Sequence, residues 1–571
     1  MQKYTFFLFL ASVVHEMIIF AAAKNSKEKI TMVLLDTARL ASIIETLYSW
    51  IWSPALVGLC LLTALYFSLR TRFVQVRRFG EMCRLLFSTD KTQKTGITSF
   101  QAFAMALSGR VGTGNIVGVA TAIGFGGPGA IVWMWVIAFF GAGSAFVEAT
   151  LAQIFKENHH GQFRGGPAYY IEKGLHSTFF GCVFAVITAI ACGFFMPPVQ
   201  CNGIALSMSR AFGIETWIVG LAVALLIALV IIGGVKRIAN VAQIIAPFMA
   251  IFYILLSIVV LVAHYEQVPG VFVEMLRGAV GMSQVGAAIL GTTVSWGVKR
   301  GIYSNEAGQG TGPIVAAAAK VSHPVKQGLV QAFSVYIDTL LVCTATAMMI
   351  LACQTYNILD NVQMTADGEA TVTYLQQNPD APPGEPGVFY TIGAISTLIG
   401  DNAATAIVSI ALFFFAFTTI MAYYYYAETN LVYLFSRFRR KQLQRLQTKT
   451  SNPETLELAK EALERAEQTF GDDRSEKIAI WILRILTIAT VFIGSLTTSG
   501  VTWTLGDIGV GAMAWINLIA ILLLSPKALN ALRDYEQAKK NGEEPHFNPT
   551  KLHIEGADFW ESRQDKPSDE L

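Results

Sequence analysis

Two stretches set polar groups among glycines in otherwise apolar sequence. The first is Ser108-Gly109-Arg110-Val111-Gly112-Thr113-Gly114-Asn115-Ile116-Val117-Gly118; the second runs from Gly297 to Pro313 and holds Lys299, Arg300, Tyr303, Ser304, Asn305 and Glu306 before Gly308, Gly310 and Gly312. Each glycine costs about 1 kcal/mol in a helix interior relative to alanine, so such clusters predict backbone that leaves the helix. In lipid, unwound backbone is tolerated only where it lines a cavity or lies inside protein. A half-helix beginning near Asn115 would offer N–H groups and a positive dipole end to a carboxylate, and one ending near Gly112 would offer carbonyls to a sodium ion or an ammonium. A small zwitterion needs both, and the missing side chains let it come close to the backbone.

Neither helix packing nor nucleotide binding accounts for these clusters as well. Close packing by small residues explains Gly118, Gly126, Gly127, Gly129, Gly141 and Gly143, but not the Asn, Ser and Glu interleaved with the clusters. Gly112-x-Gly114 and Gly308-x-Gly310-x-Gly312 lack the strand–loop–helix context of a nucleotide loop. Ionisable residues in apolar spans are functional candidates, and Glu148, Glu306, Asp338 and Glu428 qualify, with Glu148 and Glu428 near span ends. Arg110, Lys299 and Arg300 join them if the helices break as proposed, either as structural or gating pairs or as substrate contacts. His159-His160 is the one pair that hints at metal or base chemistry; with no third ligand in sight, a solvated loop pair is expected. The seven cysteines are scattered through apolar runs without a CxxC spacing, which predicts buried free thiols and no metal site other than one for sodium.

The elements that must hold these groups are membrane helices. The chain has 571 residues, 53% of them hydrophobic and only 14% charged, with a mean hydropathy of +0.48; too little charge is present to cover a soluble surface. The net charge of +2 speaks against nucleic acid as a partner. About 20 apolar residues cross a bilayer, and by that criterion some eleven spans are expected, near 50–70, 98–124, 130–155, 179–207, 215–234, 240–263, 283–319, 328–353, 402–427, 478–497 and 504–525. The stretch 283–319 is too long and glycine-rich for one straight crossing. Grouped as an extra helix with a basic loop (24–97), five helices (98–263) and five more (283–525, with a charged insert 437–477), each five begins with a broken helix. An odd number per group inverts the second five, and paired broken helices in inverted halves point to a transporter substrate site. Residues 1–23 read as a signal peptide or a further helix, and 526–571 as a polar tail. Arg and Lys follow the first, third, fifth, seventh and ninth spans, whereas 354–388 has none, so the basic loops and the C-terminus are expected inside.

Several motifs in order resemble those of the alanine or glycine:cation symporter family. They are Val111-Gly112-Thr113-Gly114-Asn115-Ile116, Gly165-Gly166-Pro167-Ala168-Tyr169-Tyr170, Ser304-Asn305-Glu306-Ala307-Gly308, and His323-Pro324-Val325-Lys326-Gln327-Gly328 with Asp338-Thr339. The resemblance covers nearly all of 50–530. It implies an all-α polytopic membrane protein with a leucine-transporter-like fold: two inverted five-helix repeats with broken first helices, plus one extra N-terminal helix. It further implies Thr113, Gly114, Asn115, Gln200, Ser304, Asn305 and Tyr423 at the substrate. Sodium is expected at Gly109, Gly112, Thr418 and Thr419, and gating or structural charges at Arg110, Arg300, Glu306 and Asp338. The chain departs from the family pattern at Ala422-Tyr423, where a glycine–tryptophan pair is usual, and at Pro197-Pro198; both bear on the exact substrate.

The expected function is sodium-coupled import of alanine or glycine across a bacterial inner membrane by alternating access. Sodium serves as coupling ion, and neither a cofactor nor an enzymatic step is involved. The alternative of the same fold is proton coupling through Glu306 or Asp338. A channel is less compatible with closed midplane sites on broken helices.

Overall fold

A computed structural model describes residues 42–88, 96–282, 284–364, 370–379, 381–383, 386–449 and 474–564. The expected signal peptide at 1–23 and most of the 437–477 insert lie outside the described residues. The chain divides into a short unit ending at Ser53, of which residues 42–51 form a helix, and a large unit, Pro54–Leu571, that holds everything below.

Helix α1 (Pro54–Arg70) precedes the first repeat. The repeat opens with α2 (Ser99–Arg110), started by a capping box in which Thr98 Oγ1 accepts from Gln101 N–H and Gln101 Oε1 accepts from Thr98 N–H. The helix stops because Val111 is extended (φ −80°, ψ 94°) at the glycine cluster. The chain resumes as a π-helical turn, Gly114–Gly118, and continues as α3 (Val119–Gly126). There follow α4 (Gly129–Ile154), a hairpin of β1 (Glu157–His159) and β2 (Gln162–Arg164), α5 (Pro167–Leu175), α6 (Thr178–Phe212), α7 (Thr216–Ile231) and α8 (Gly234–Ala263). A short helix, α9 (Val268–Ala279), leads to the second repeat.

There the break is sharper. Helix α10 (Gln284–Asn305) ends where Glu306, Gly308 and Gly310 all take positive φ (56°, 83°, 93°), and α11 (Gly312–Ala317) restarts with Pro313 in its first turn. Helix α12 (Pro324–Ala352), a hairpin of β3 (Ile358–Met364) and β4 (Ala370–Gln376), and α13 (Val388–Ile399) follow; then come α14 (Asp401–Lys449), α15 (Arg474–Gly494) and α16 (Ser499–Lys540). Among the described residues eight helices are long and apolar enough to cross a membrane. The other three expected spans fall short for a reason: two are the broken helices, and the third, α7, has 16 residues.

The packing carries the signature of an internal two-fold. Corresponding helices of the two repeats meet each other: α4 with α12, α6 with α14, and α7 with α15, while the two broken helices meet through α3 and α10. Elements related by a two-fold axis touch their own counterparts, as subunits do in a two-fold dimer, and an odd helix count per repeat turns one repeat over. The fold is the two inverted five-helix repeats expected, plus an N-terminal helix.

The packing glycines separate into kinds. A Cβ on Gly129 would overlap the backbone of Gly278 and Ala279, and one on Gly143 would lie 3.0 Å from Ser68 N; these are close approaches. Gly127 instead takes φ 68° in the turn before α4, and Gly118 has only ordinary contacts. The tail past Lys527 stays in α16 as far as Lys540 and then docks through α17 (Asp558–Gln564), with Trp560 Nε1–H donating to Gln153 O (2.8 Å).

Candidate functional site

The two breaks face each other, bridged by one carboxylate. Asp338, fully buried in a π-helical segment of α12 (Tyr336–Cys343), accepts from Asn115 Nδ2 (2.7 Å) at Oδ1 and from Ser304 Oγ (2.8 Å) and Thr339 Oγ1 (2.7 Å) at Oδ2. Asn115 belongs to the first break and Ser304 to the last turn of α10, so Asp338 ties both broken helices to α12. Segments of π-helix concentrate at functional positions, and all three here (114–118, 191–195, 336–343) lie close in sequence to Asn115, Gln200 or Asp338.

The amides at the start of the second half-helix are held by the chain's own side chains. Gly112 N–H donates to Asn115 Oδ1 (2.8 Å) and Thr113 N–H donates to Gln200 Oε1 (3.0 Å). Two side-chain oxygens thus take the position expected for a carboxylate. Thr113 Oγ1 and Asn305 Nδ2 are buried without a hydrogen-bond partner among the described residues, an arrangement rare in protein interiors. Gly114 lies against the ring of Tyr303, and Gly203 of α6 leaves room for Thr113.

Oxygens converge beside the first break. Thr419 Oγ1 of α14 lies 2.8 Å from Ser108 O, 3.1 Å from Val111 O and 3.0 Å from Phe415 O. One hydroxyl proton cannot serve three carbonyls at once. Phe415 O also takes the i→i−4 N–H of its own helix, whereas Ser108 O and Val111 O at the open end of α2, with the hydroxyl, are hard oxygens that suit an alkali cation. The carbonyls concerned belong to the residues just before Gly109 and Gly112, not to those glycines; Gly112 O accepts from Asn115 N–H (3.2 Å). The glycines supply space instead: a Cβ on Gly112 would sit 2.6 Å from Thr419 Oγ1, and one on Gly109 would overlap the Tyr426 hydroxyl. Thr418 is turned away from this cluster, its hydroxyl donating to Phe414 O or Phe415 O on its own helix. Tyr423, buried, tilts its ring against that of Tyr426 (centroids 6.1 Å apart, 51° between planes).

Charged groups flank the two breaks. Arg300 makes a two-pronged pair with Asp507 of α16 (3.0 and 2.9 Å), with Trp503 and Tyr303 against its guanidinium. On the other side Arg110 Nε–H donates to Asn305 O (2.6 Å), and Nη1 donates to Gln331 Oε1 (3.2 Å) and to Ser334 Oγ. Arg110 therefore fastens the end of α2 to the second break. Glu306 accepts from the Tyr426 hydroxyl (3.3 Å), and Glu148 accepts from Gly308 N–H (3.2 Å) and Asn517 Nδ2 (2.8 Å). Glu428 pairs with Arg164 (2.6 Å). Gln331, Ser334, Asp507 and Asn517 were not singled out in the sequence, although Asp507 is an ionisable residue in an apolar span between Gly506 and Gly509.

Comparison with known proteins supplies the family. The family model described as "Sodium:alanine symporter family" matches residues 37–448 and 466–549. The chain belongs to this family. Among its relatives in the family is YrbD of Bacillus subtilis (strain 168), named for sodium/proton-dependent alanine carriage; it is 48% identical across 93% of this chain and 100% of its own. The sodium/proton-dependent alanine carrier protein of Bacillus sp. (strain PS3) is 44% identical across 84% and 96%. GlnT of Bacillus subtilis (strain 168), named for sodium/glutamine symport, is 38% identical across 87% and 91%. Members of the family are membrane transporters, so the chain is a transporter and not an enzyme.

Proposed function

We propose that this protein is a sodium-coupled symporter that imports a small neutral amino acid, alanine or glycine, by alternating access. The observation that carries the reading is the cluster of Ser108, Val111 and Phe415 carbonyls around Thr419 Oγ1. It joins the first broken helix to α14 of the other repeat, so a cation held there fixes the two repeats against each other. The substrate carboxylate displaces Gln200 Oε1 from the Thr113 amide, and its small side chain lies in the space left by Gly112 and Gly114, under Tyr303. Asn115, Ser304 and Asp338 hold the breaks in shape around it.

Two relatives named for alanine carriage support the substrate class, and one named for glutamine indicates that the same scaffold admits a larger side chain. The basic loops and the C-terminus face the cytoplasm of a bacterial cell, with the Arg300–Asp507 pair on the outer side. One charge entering down roughly 100 mV contributes about 2.3 kcal/mol, and a tenfold sodium gradient adds about 1.4 kcal/mol. Together they support accumulation of several hundredfold, by the rule of about 1.4 kcal/mol per factor of ten.

A second reading, proton coupling, draws on the buried carboxylates Glu306 and Asp338, neither of which has a basic partner in an ion pair among the described residues, and on the sodium/proton wording of two relatives' names. Equilibrium binding of labelled alanine to the purified protein separates the two. Binding that strengthens with sodium at fixed pH supports the sodium site. Binding that follows pH and ignores sodium would transfer the coupling to the carboxylates.

A further inference from the structure

The hairpin between α4 and α5 brings together three side chains that neither the transport site nor the gates use. Its strands pair with Glu157 opposite Arg164, Asn158 opposite Phe163 and His159 opposite Gln162. That register leaves a two-residue turn, His160-Gly161, both with positive φ (50° and 69°), as a tight hairpin turn requires. Glycine adopts this conformation freely; a histidine there is held in a sparsely populated region. The turn sets the two imidazoles side by side, ring centroids 4.0 Å apart.

A third group arrives from far along the chain. Glu476, in the first turn of α15, reaches back so that its Oε1 lies 3.0 Å from His159 Nε2, with both side chains mostly covered (14% and 12% exposed). One ligand atom from each of His159, His160 and Glu476 lies within 4.8 Å of the others. The sequence alone showed only a histidine pair in a loop; the fold supplies the missing ligand 317 residues away.

We infer that His159, His160 and Glu476 form a three-ligand site for a zinc-class divalent ion. Two imidazole nitrogens and one carboxylate oxygen are a common set for zinc, with metal–ligand distances of about 2.0–2.2 Å and a fourth, water-filled position. Ligands on a tetrahedron of that size stand roughly 3.4 Å apart, so the His159–Glu476 pair at 3.0 Å opens slightly around an ion while the His160 nitrogen closes in from within 4.8 Å. A bound ion ties the hairpin to the start of α15, linking the α4–α5 connection of the first repeat to the second.

The alternative is a His159–Glu476 ion pair with His160 as a bystander, and the variant that decides is His160→Asn. Asparagine tolerates the left-handed turn and leaves the ion pair in place, so the hairpin should keep its fold. Zinc binding to the purified full-length protein, followed by calorimetry and by metal content after gel filtration, should show one saturable equivalent. His160→Asn and Glu476→Gln should each bind at least about tenfold more weakly. Thermal unfolding of the metal-free variants checks their folding. Absence of saturable zinc binding to the unaltered protein, or equal binding by folded His160→Asn, would overturn the site and leave only the ion pair.

Discussion

Thr419 illustrates how much one side chain can carry. Its hydroxyl is one of four oxygens that come together, and the other three are backbone carbonyls that no substitution removes. Thr419→Ala should raise the sodium concentration for half-maximal uptake by about tenfold or more, a loss of about 1.4 kcal/mol. Thr418→Ala, whose hydroxyl bonds only to its own helix, should leave sodium dependence near that of the unaltered protein. A sodium titration of uptake on both variants checks this; equal effects would remove the reason for placing the ion at Thr419. Asn115 works with both ends of its amide, accepting from Gly112 N–H and donating to Asp338. Asn115→Ala leaves two buried groups unsatisfied, at about 1–3 kcal/mol each, and should lose alanine binding along with thermal stability. Asn115, Thr113 and Ser304 were legible in the sequence because polar residues between glycines in an apolar run have few other uses. The self-capping by Gln200 was not legible, since the amide it satisfies lies 87 residues away.

At the level of elements, the breaks were visible and their braces were not. Gly112 and Gly114, and then Gly308, Gly310 and Gly312, announce where helices stop. Nothing in the sequence pairs Arg300 with Asp507, because the pair joins α10 to α16 across 207 residues. Buried on both sides (3% and 2% exposed), this pair should show strong coupling. Arg300→Gln alone removes the two-pronged partner of a buried carboxylate and should cost up to about 3–5 kcal/mol, while Arg300→Gln with Asp507→Asn should cost clearly less than the two single changes added. A double-mutant cycle on thermal unfolding reads the difference; additivity would mean that the two groups act separately. Gly129 marks another limit. Its missing Cβ lets α4 approach the end of α9 closely enough that Gly129→Val should destabilise the protein severely, whereas Gly58→Ala, inside α1 with open space around it, should stabilise slightly, by up to about 1 kcal/mol. The π-helical segments have no compositional mark and appear only in the structure.

The grouping of helices followed from hydropathy and spacing: of the eleven spans expected, eight are long and apolar enough among the described residues, and the other three are the two broken helices and the short α7. The tail did not, because its polar composition conceals the few aromatic residues that dock it. Phe547 and Trp560 are buried, and His323 at the start of α12 is buried beside them, its Nδ1 accepting from Val325 N–H and its Nε2 3.5 Å from Asp534. Burial holds His323 below its usual value of 6.5, with Lys326 and His546 pushing the same way. Hydrogen bonding from His323, then from Lys551, holds Asp534 below its usual 3.8. Both groups bind protons less readily when folded, so stability is full at neutral pH. It falls as the pH drops below about 6.5, where unfolded histidine takes up a proton, and further as the pH falls through the folded Asp534 value. Unfolding temperature against pH should show this acid-side decline, and His323→Phe should blunt its upper part. Transport itself is the property on which the account stands. Purified protein in liposomes, given labelled alanine and an inward gradient of sodium, potassium or protons in turn, tests it most directly. Concentrative uptake with sodium alone, abolished by collapsing that gradient, is the predicted result; uptake that ignores sodium and follows only the proton gradient would contradict it.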